Sequence, residues 1–403
     1  LDLDSGAAEL VTPGEGVKAA MLGHNRWNPT VVLVGLNAEN PQLHDVHRLD
    51  LTTRELTRVE KNPGFAGWII DSDLRVRGGM TMTEEGGVVV HLKADDGTYV
   101  PWKDIAPQDV ATTSVVGYTR DSSGLLMLSS IGANAARLLR VDPETEEEQV
   151  LAQDERYDVS GVVLDPQTLE PQSVVFTKDR KHWVHLDDTF GAGAAALRHR
   201  VRGELGISRT DRSDQWWLVT DAPSDGPVRY HLYDRASGGL AFLFAHKPQL
   251  DDYTLAPMQP FSYEARDGLG ISGYVTFPPG VEPRDLPVVL NVHGGPWTRD
   301  VWGYDAEAQW LANRGYACVQ VNFRGSSGYG KAFGNAGDKE WGRAMQTDLV
   351  DAVDHVVARG WVDGSRVGIY GGSYGGYAAL AGAAFTPDVF RCAVDMVGPS
   401  NLL

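Results

Sequence analysis

The chain has 403 residues, 42% apolar and 22% charged, with a formal net charge of −18. That length predicts two domains, and the composition is that of a soluble globular protein. The acidic balance argues against a phosphate-binding surface, and no apolar run approaches the 18 residues of a membrane helix, so neither nucleic acid nor a bilayer is an expected partner. Only two cysteines occur, Cys318 and Cys392, and both read as buried free thiols in strand-like runs. With no Asn-x-Ser/Thr acceptor (Asn28 is followed by Pro29), this points to the cytoplasm. The chain opens at Leu1 inside a strand-like run and closes at Leu403 just past another, so it is expected to be a piece of a longer protein, cut at both ends.

In chain order, the first feature is a repeat. A phrase of apolar residue, Asp, two residues and a small residue recurs at Asp2, Asp50, Asp142 and Asp234, with spacings of 48, 92 and 92. Weaker copies stand at the skipped positions, near Asp95 and Asp187. Each phrase reads as a hairpin turn between short strands such as TVVLVGLN, GLLMLSS and QWWLVTD. A period in the forties made of strands and turns, with no strong amphipathic helix interrupting, predicts about six β-propeller blades over residues 1–257. A pair of β-sandwiches is the rival architecture. His44/His47 and His182/His185 have the spacing of metal pairs, but residues three apart on a strand face opposite ways, so no metal is expected. The acidic runs Glu146–Glu148 and Asp251–Asp252 read as solvated turns.

Residues 254–260, TLAPMQP, read as a linker. Over 258–403 strands and helices alternate: ISGYVTF, PVVLNVH, ACVQVNF, RVGIYG and CAVDMVG are the strands. In 340–360, Trp341, Met345, Leu349, Val353 and Val357 make one face of a helix that Gly360 closes. Apolar strands alternating with helices imply a mostly parallel sheet covered on both sides.

The strand RVGIY runs directly into Gly371-Gly372-Ser373-Tyr374-Gly375-Gly376 and then into a helical pattern. This is G-x-S-x-G in its strand–turn–helix setting, so Ser373 is the candidate nucleophile. Such an elbow turns so tightly that Gly371 and Gly375 must be small. It leaves the Tyr374 N–H at a helix N-terminus, where a developing oxyanion would be favoured. Upstream, His293-Gly294-Gly295-Pro296 closes the strand PVVLNV. Gly295 N–H is the expected second oxyanion donor, with Gly294 as the fallback. His293 precedes Ser373, so it reads as a residue that fixes the loop rather than as a base. Arg324 reads as a salt bridge or backbone contact holding its own loop. The glycines of SSGYG and GGSYGG form neither a phosphate loop, since no G-x-x-x-x-G-K-[ST] occurs, nor the dinucleotide fingerprint, and no cofactor is expected.

HGGPW at 293–297, NFRGSSGYG at 322–330, EWG at 340–342 and GGSYGGYAAL at 371–380 together resemble the prolyl oligopeptidase family of serine peptidases, in its acylaminoacyl-peptidase and dipeptidyl-peptidase-like branch. The resemblance covers residues 259–403; the repeat region shares only the architecture. It implies a β-propeller (partial) followed by an α/β-hydrolase domain (N-terminal part only), with short peptides or peptide ends admitted past the propeller. It implies Ser373 as nucleophile and Gly295 and Tyr374 as oxyanion donors, and it places the acid and base further along the chain. After Ser373 there is no histidine, and the only acids are Asp388 and Asp395. The 403 residues are therefore expected to be inactive alone. An esterase on the same fold and a non-catalytic binding protein are the alternatives, and a homo-oligomer is neither required nor excluded.

Overall fold

The computed structural model describes residues 4–209 and 213–402. Among them the repeat region forms five antiparallel sheets, spanning residues 19–60, 67–105, 114–152, 159–185 and 204–245. Four of these have four strands paired in sequence order, and the sheet over 159–185 has three. They are propeller-type blades, and the recurring aspartates explain their hairpins. Asp50 follows strand Leu43–Asp50 to its end, and its carboxylate accepts the N–H groups of Thr52 (2.9 Å) and Thr53 (3.1 Å). Asp142 receives Glu144 and Thr145 in the same way, and Asp234 receives Ala236. A side chain that answers its own turn's N–H groups is what makes aspartate favourable there. In KADDGT it is Asp96, one residue past the expected anchor, that takes the Thr98 N–H and hydroxyl. The phrase anchored on Asp2 lies outside the described residues, and residues 4–12 beyond it hold no strand.

The copy near Asp187 is not a hairpin. Asp187 caps an α-helix, α1 (Asp188–Arg198), accepting the Phe190 N–H at 2.7 Å. Alanine at three successive positions and a capping carboxylate favour helix over strand here. The helix buries Phe190, Ala194 and Leu197 against Leu205, Trp217 and Val219. It stands where a hairpin turn was expected.

The chain packs as two compact units, and the division falls inside the repeat region rather than at residue 257. Of the described residues, the first holds 4–133, 137–151 and 167–170. Its core includes Ile69, Val90, Leu125, Met127, Leu139 and Val141. The second holds 134–136, 152–166 and everything from Pro171 onward, so it combines two of the antiparallel sheets with the sheet that follows.

That sheet has six strands: β1 (Met258–Glu264), β2 (Gly270–Thr276), β3 (Leu286–Val292), β4 (Ala317–Asn322), β5 (Val362–Gly372) and β6 (Cys392–Met396), in the order β1-β2-β4-β3-β5-β6. β3, β4, β5 and β6 run parallel, while β1 and β2 add an antiparallel edge. The expected linker therefore ends early, because Met258-Gln259-Pro260 already belong to β1. Pro260 is tolerated since β1 is an edge strand with a free side. Three helices matter to the site: α2 (Ala306–Asn313), α3 (Ala344–Ala358) and α4 (Tyr374–Phe385). α2 lies over one face, with Ala308 and Leu311 against Cys318. On the other face Met345, Leu349, Val353 and Val356 of α3 and Ala378 of α4 bury against Val288, Leu290, Val321 and Ile369. Each such aliphatic side chain is worth about 1.5–3 kcal/mol when fully buried. Trp341 precedes α3 rather than lying on it, and Gly360 follows its end at φ +72°. Among the described residues, every residue of β6 is exposed. Cys318 is buried as expected, but Cys392 is exposed because it stands on this edge strand.

Candidate active site

The turn between β5 and α4 is built around one strained residue. Ser373 has φ +55° and ψ −119°, a region that side-chain-bearing residues rarely occupy and that costs about 1–3 kcal/mol. The strain is held by its surroundings. The Ser373 N–H donates to Met396 O at 2.9 Å, and its carbonyl accepts the Tyr377 N–H at 3.0 Å as the helix begins. A Cβ on Gly371 would lie 2.5 Å from the Gly375 carbonyl carbon, and one on Gly375 would lie 2.0 Å from Val292 O. Both contacts are with backbone, so neither glycine can carry a side chain without moving the turn. Gly376 is equally confined, 2.2 Å from Asp395 Oδ1. The Ser373 side chain is exposed and makes no hydrogen bond to the helix it caps.

The HGGP loop lies against this turn. A Cβ on Gly294 would come within 3.4 Å of Ser373 Cβ and 3.2 Å of Gly372 O. Gly295 follows at φ +113°. His293 does not reach out towards Ser373. Its ring stacks on Phe323 at 4.5 Å, Nδ1 lies 2.8 Å from Gly294 O, and Nε2 lies 3.0 Å from Ser326 Oγ. Burial pushes the imidazole down to about 4, so it is neutral at ordinary pH. The Nδ1–H then donates to Gly294 O, and a trans peptide directs its own N–H opposite to its carbonyl. Holding Gly294 O on the ring side thus aims the Gly295 N–H the other way.

Below the loop, Arg324 makes a two-bond pair with Asp348, 2.9 and 2.7 Å, and its backbone N–H reaches the same carboxylate at 2.9 Å. Asp348 has no exposed side-chain surface, and Asp267 adds a second contact to the guanidinium at 2.8 Å. Arg324 therefore anchors its loop, as its setting in NFRGS implied. Tyr374 stacks between Phe323 (5.1 Å) and Trp341 (4.7 Å, edge-on), which packs the residue after Ser373 into the core. Asp395 accepts the Gly398 N–H at 2.8 Å. The histidine pairs flagged in the repeat region have local partners: His47 meets Asp45 O, and His185 meets Ser173 Oγ.

Two residues of this arrangement carried no individual signal in the sequence. Ser326 lies 33 residues from the histidine it meets, and Asp300 lies 20 residues from Gln320, which bonds it at 3.2 Å. Both were visible only as parts of longer motifs or loops.

The model of the prolyl oligopeptidase family matches residues 302–403. Over the whole chain there is 38% identity with dipeptidyl aminopeptidase BIII of Pseudoxanthomonas mexicana. Over 96% of it there is 32% identity with dipeptidyl peptidase family member 6 of Caenorhabditis elegans. The chain spans 60% and 56% of the lengths of these two relatives. Among solved structures, a puromycin-hydrolyzing peptidase of Mycobacterium tuberculosis superposes with a TM-score of 0.70 at 20% identity, over 96% of this chain and 63% of that one. That likeness concerns the fold. Among the described residues no helix is long and apolar enough to cross a membrane.

Proposed function

We propose that this chain, whose residues 302–403 belong to the prolyl oligopeptidase family, is the propeller and nucleophile portion of a serine peptidase that removes short units, dipeptides first among them, from the ends of peptides. The observation that carries the reading is the elbow: Ser373 at φ +55°, locked between glycines that cannot accept a Cβ, with Gly294 packed against it. Two relatives named a dipeptidyl aminopeptidase and a dipeptidyl peptidase family member, matched over nearly the whole chain, support that substrate class.

In this reading Ser373 Oγ attacks the scissile carbonyl, and a base supplied by the remainder of the protein takes its proton. The carbonyl oxygen becomes an oxyanion facing the N–H groups of Tyr374 and Gly295. Tyr374 N–H stands at the first turn of the twelve-residue α4, whose dipole favours that negative charge. The base gives that proton to the amine as the C–N bond breaks, then takes one from the attacking water and returns it to Ser373 Oγ as the acyl group is released as a carboxylic acid. His293 is excluded as the base because both ring nitrogens are engaged elsewhere. The blade sheets of residues 1–257 limit access to short or terminal substrates, and the 403 residues alone are silent for want of a base.

The test uses the longer protein that contains this sequence, with dipeptidyl anilides as substrates and acyl-amino-acid anilides and p-nitrophenyl esters as controls. Anilide turnover that Ser373→Ala lowers by on the order of 10⁴-fold or more is the expected result. Ester turnover without any anilide turnover would replace peptidase with esterase.

A further inference from the structure

The segment after the HGGP loop carries a carboxyl group that its surroundings do not treat as a charge. Asp300 lies between Gly295 and α2. Its backbone is clamped to β4 from both sides: the Asp300 N–H donates to Asn322 Oδ1 at 2.7 Å, and Asn322 Nδ2 donates to Asp300 O at 3.0 Å. Its side chain accepts one bond, from Gln320 Nε2 to Oδ1 at 3.2 Å. The other carboxyl oxygen, Oδ2, is enclosed and has no partner, and neither has Gln320 Oε1 on a side chain that is 4% exposed. Two orphaned oxygens on two groups already joined by one bond are both satisfied by a single proton. The acid O–H would donate to Gln320 Oε1 while the amide N–H donates to Asp300 Oδ1.

We propose that Asp300 is a positioning residue, held as a neutral acid in a two-bond pair with Gln320, and that this pair fixes the segment bearing Gly294 and Gly295 against β4. The charged neighbours agree. Asp305 and Glu307, on the α2 side, both oppose a negative charge on Asp300. Arg299, the one cation of the segment, spends its guanidinium on carbonyl and hydroxyl oxygens, Thr177 O (2.7 Å), Lys178 O (3.0 Å), Tyr329 Oη (2.8 Å) and the Asp300 backbone O (3.3 Å), and makes no bond to the Asp300 carboxyl. β4 offers the neutral Gln320 and Asn322, and the Cys318 thiol, which burial keeps protonated. Burial, with Asp305 adding to it, pushes the Asp300 carboxyl up to about 7 against the opposing Gln320 bond and Arg299 charge. The folded state thus binds the proton more tightly than the unfolded chain. The stabilisation is fully present below the ordinary carboxylate range and is lost as pH rises through about 7.

The positioning role rests on the oxyanion reading of Gly294 and Gly295, but its test does not require activity. NMR of this chain would follow the Asp300 carboxyl carbon and the Gly294 and Gly295 amides from pH 4 to 9. The expected result is a carboxyl midpoint near 7, with both glycine amides moving at that same midpoint. Asp300→Asn, which keeps two bonds to Gln320, abolishes the pH response and leaves the glycine signals at their low-pH positions. Asp300→Ala displaces them at every pH. A carboxyl midpoint near 4, or glycine amides indifferent to pH and to both variants, overturns the proposal. Should Asp300→Ala not fold, the wild-type titration and Asp300→Asn still decide. In the longer protein, Asp300→Ala should lower kcat with KM little changed, and Asp300→Asn should restore it. Absence of all hydrolysis there would count against the peptidase reading and leave the NMR result standing.

Discussion

At the scale of single residues, the site depends on which atom carries each proton. The His293 Nδ1 contact is with a carbonyl, so that nitrogen must bear the hydrogen, and Nε2 must accept. Ser326 Oγ is the group that can donate to it. Ser326 Oγ also lies 2.7 Å from Phe323 O, which accepts the Ser326 backbone N–H at 3.0 Å as well, so the single hydroxyl proton is shared between that carbonyl and the ring. Ser326→Ala would leave a buried ring nitrogen without a donor, a loss of about 1–3 kcal/mol in denaturant unfolding. The neutral ring also sets a pH window. Its contribution is present above the ordinary imidazole range and is lost as pH falls towards about 4, the level to which burial pushes it. The elbow formed by Gly371, Ser373 and Gly375 was legible in the sequence because its pattern lies in six consecutive residues, although Val292 and Met396 on neighbouring strands help to hold it. Ser326 and Asp300 were not, since each acts through a partner brought to it by strand pairing. No spacing rule anticipates that.

Elements tell the same story in terms of periodicity. The strands of the mixed sheet were readable to within about a residue at most ends because buried parallel strands are short apolar runs. The edge was harder. β1 begins at Met258 with a proline two residues on, and only its free outer side makes that admissible. α1 was missed for a different reason. Its phrase begins like every other hairpin of the repeat, with an aspartate after a strand. Asp187 accepts the N–H three residues on, as Asp50 and Asp142 also do. What separates them lies further along, where DTFGAGAAALR continues with helix formers and small residues, and the next strand, Glu204–Arg209, belongs to the following sheet. The cap is therefore a sensitive point. Asp187→Ala should lower the stability of the unit containing α1 by about 1 kcal/mol. The same change at Asp188, which makes no cap bond to the helix, should have less effect; chemical denaturation of the two variants compares them.

For the molecule as a whole, the arrangement is complete in one respect and open in another. The repeat period identified propeller blades, and the alternation after residue 257 identified the hydrolase sheet, yet compact packing does not respect that boundary. Two blade sheets belong with the hydrolase sheet through contacts such as Arg299 on the 177–178 carbonyls and Tyr274 Oη on Asp179 O at 2.9 Å. Periodicity reports how strands are made, not which sheets pack together, so the division was not available from the sequence. What the described residues hold at the elbow is a strained serine with the HGGP loop packed against it. Neither removes a proton. A serine hydroxyl without a base stays protonated and attacks slowly, whereas electrostatic stabilisation of the oxyanion survives on its own. A fluorophosphonate probe separates these contributions, since its phosphorus must be attacked by the serine while its oxygen is stabilised by the hole. The 403-residue chain should label at Ser373 at least about 10³-fold more slowly than the longer protein, and Ser373→Ala should remove even that residue of reactivity. Equal rates in the two proteins would mean that a base lies within the residues described, and His293 would have to turn from Gly294 to supply it.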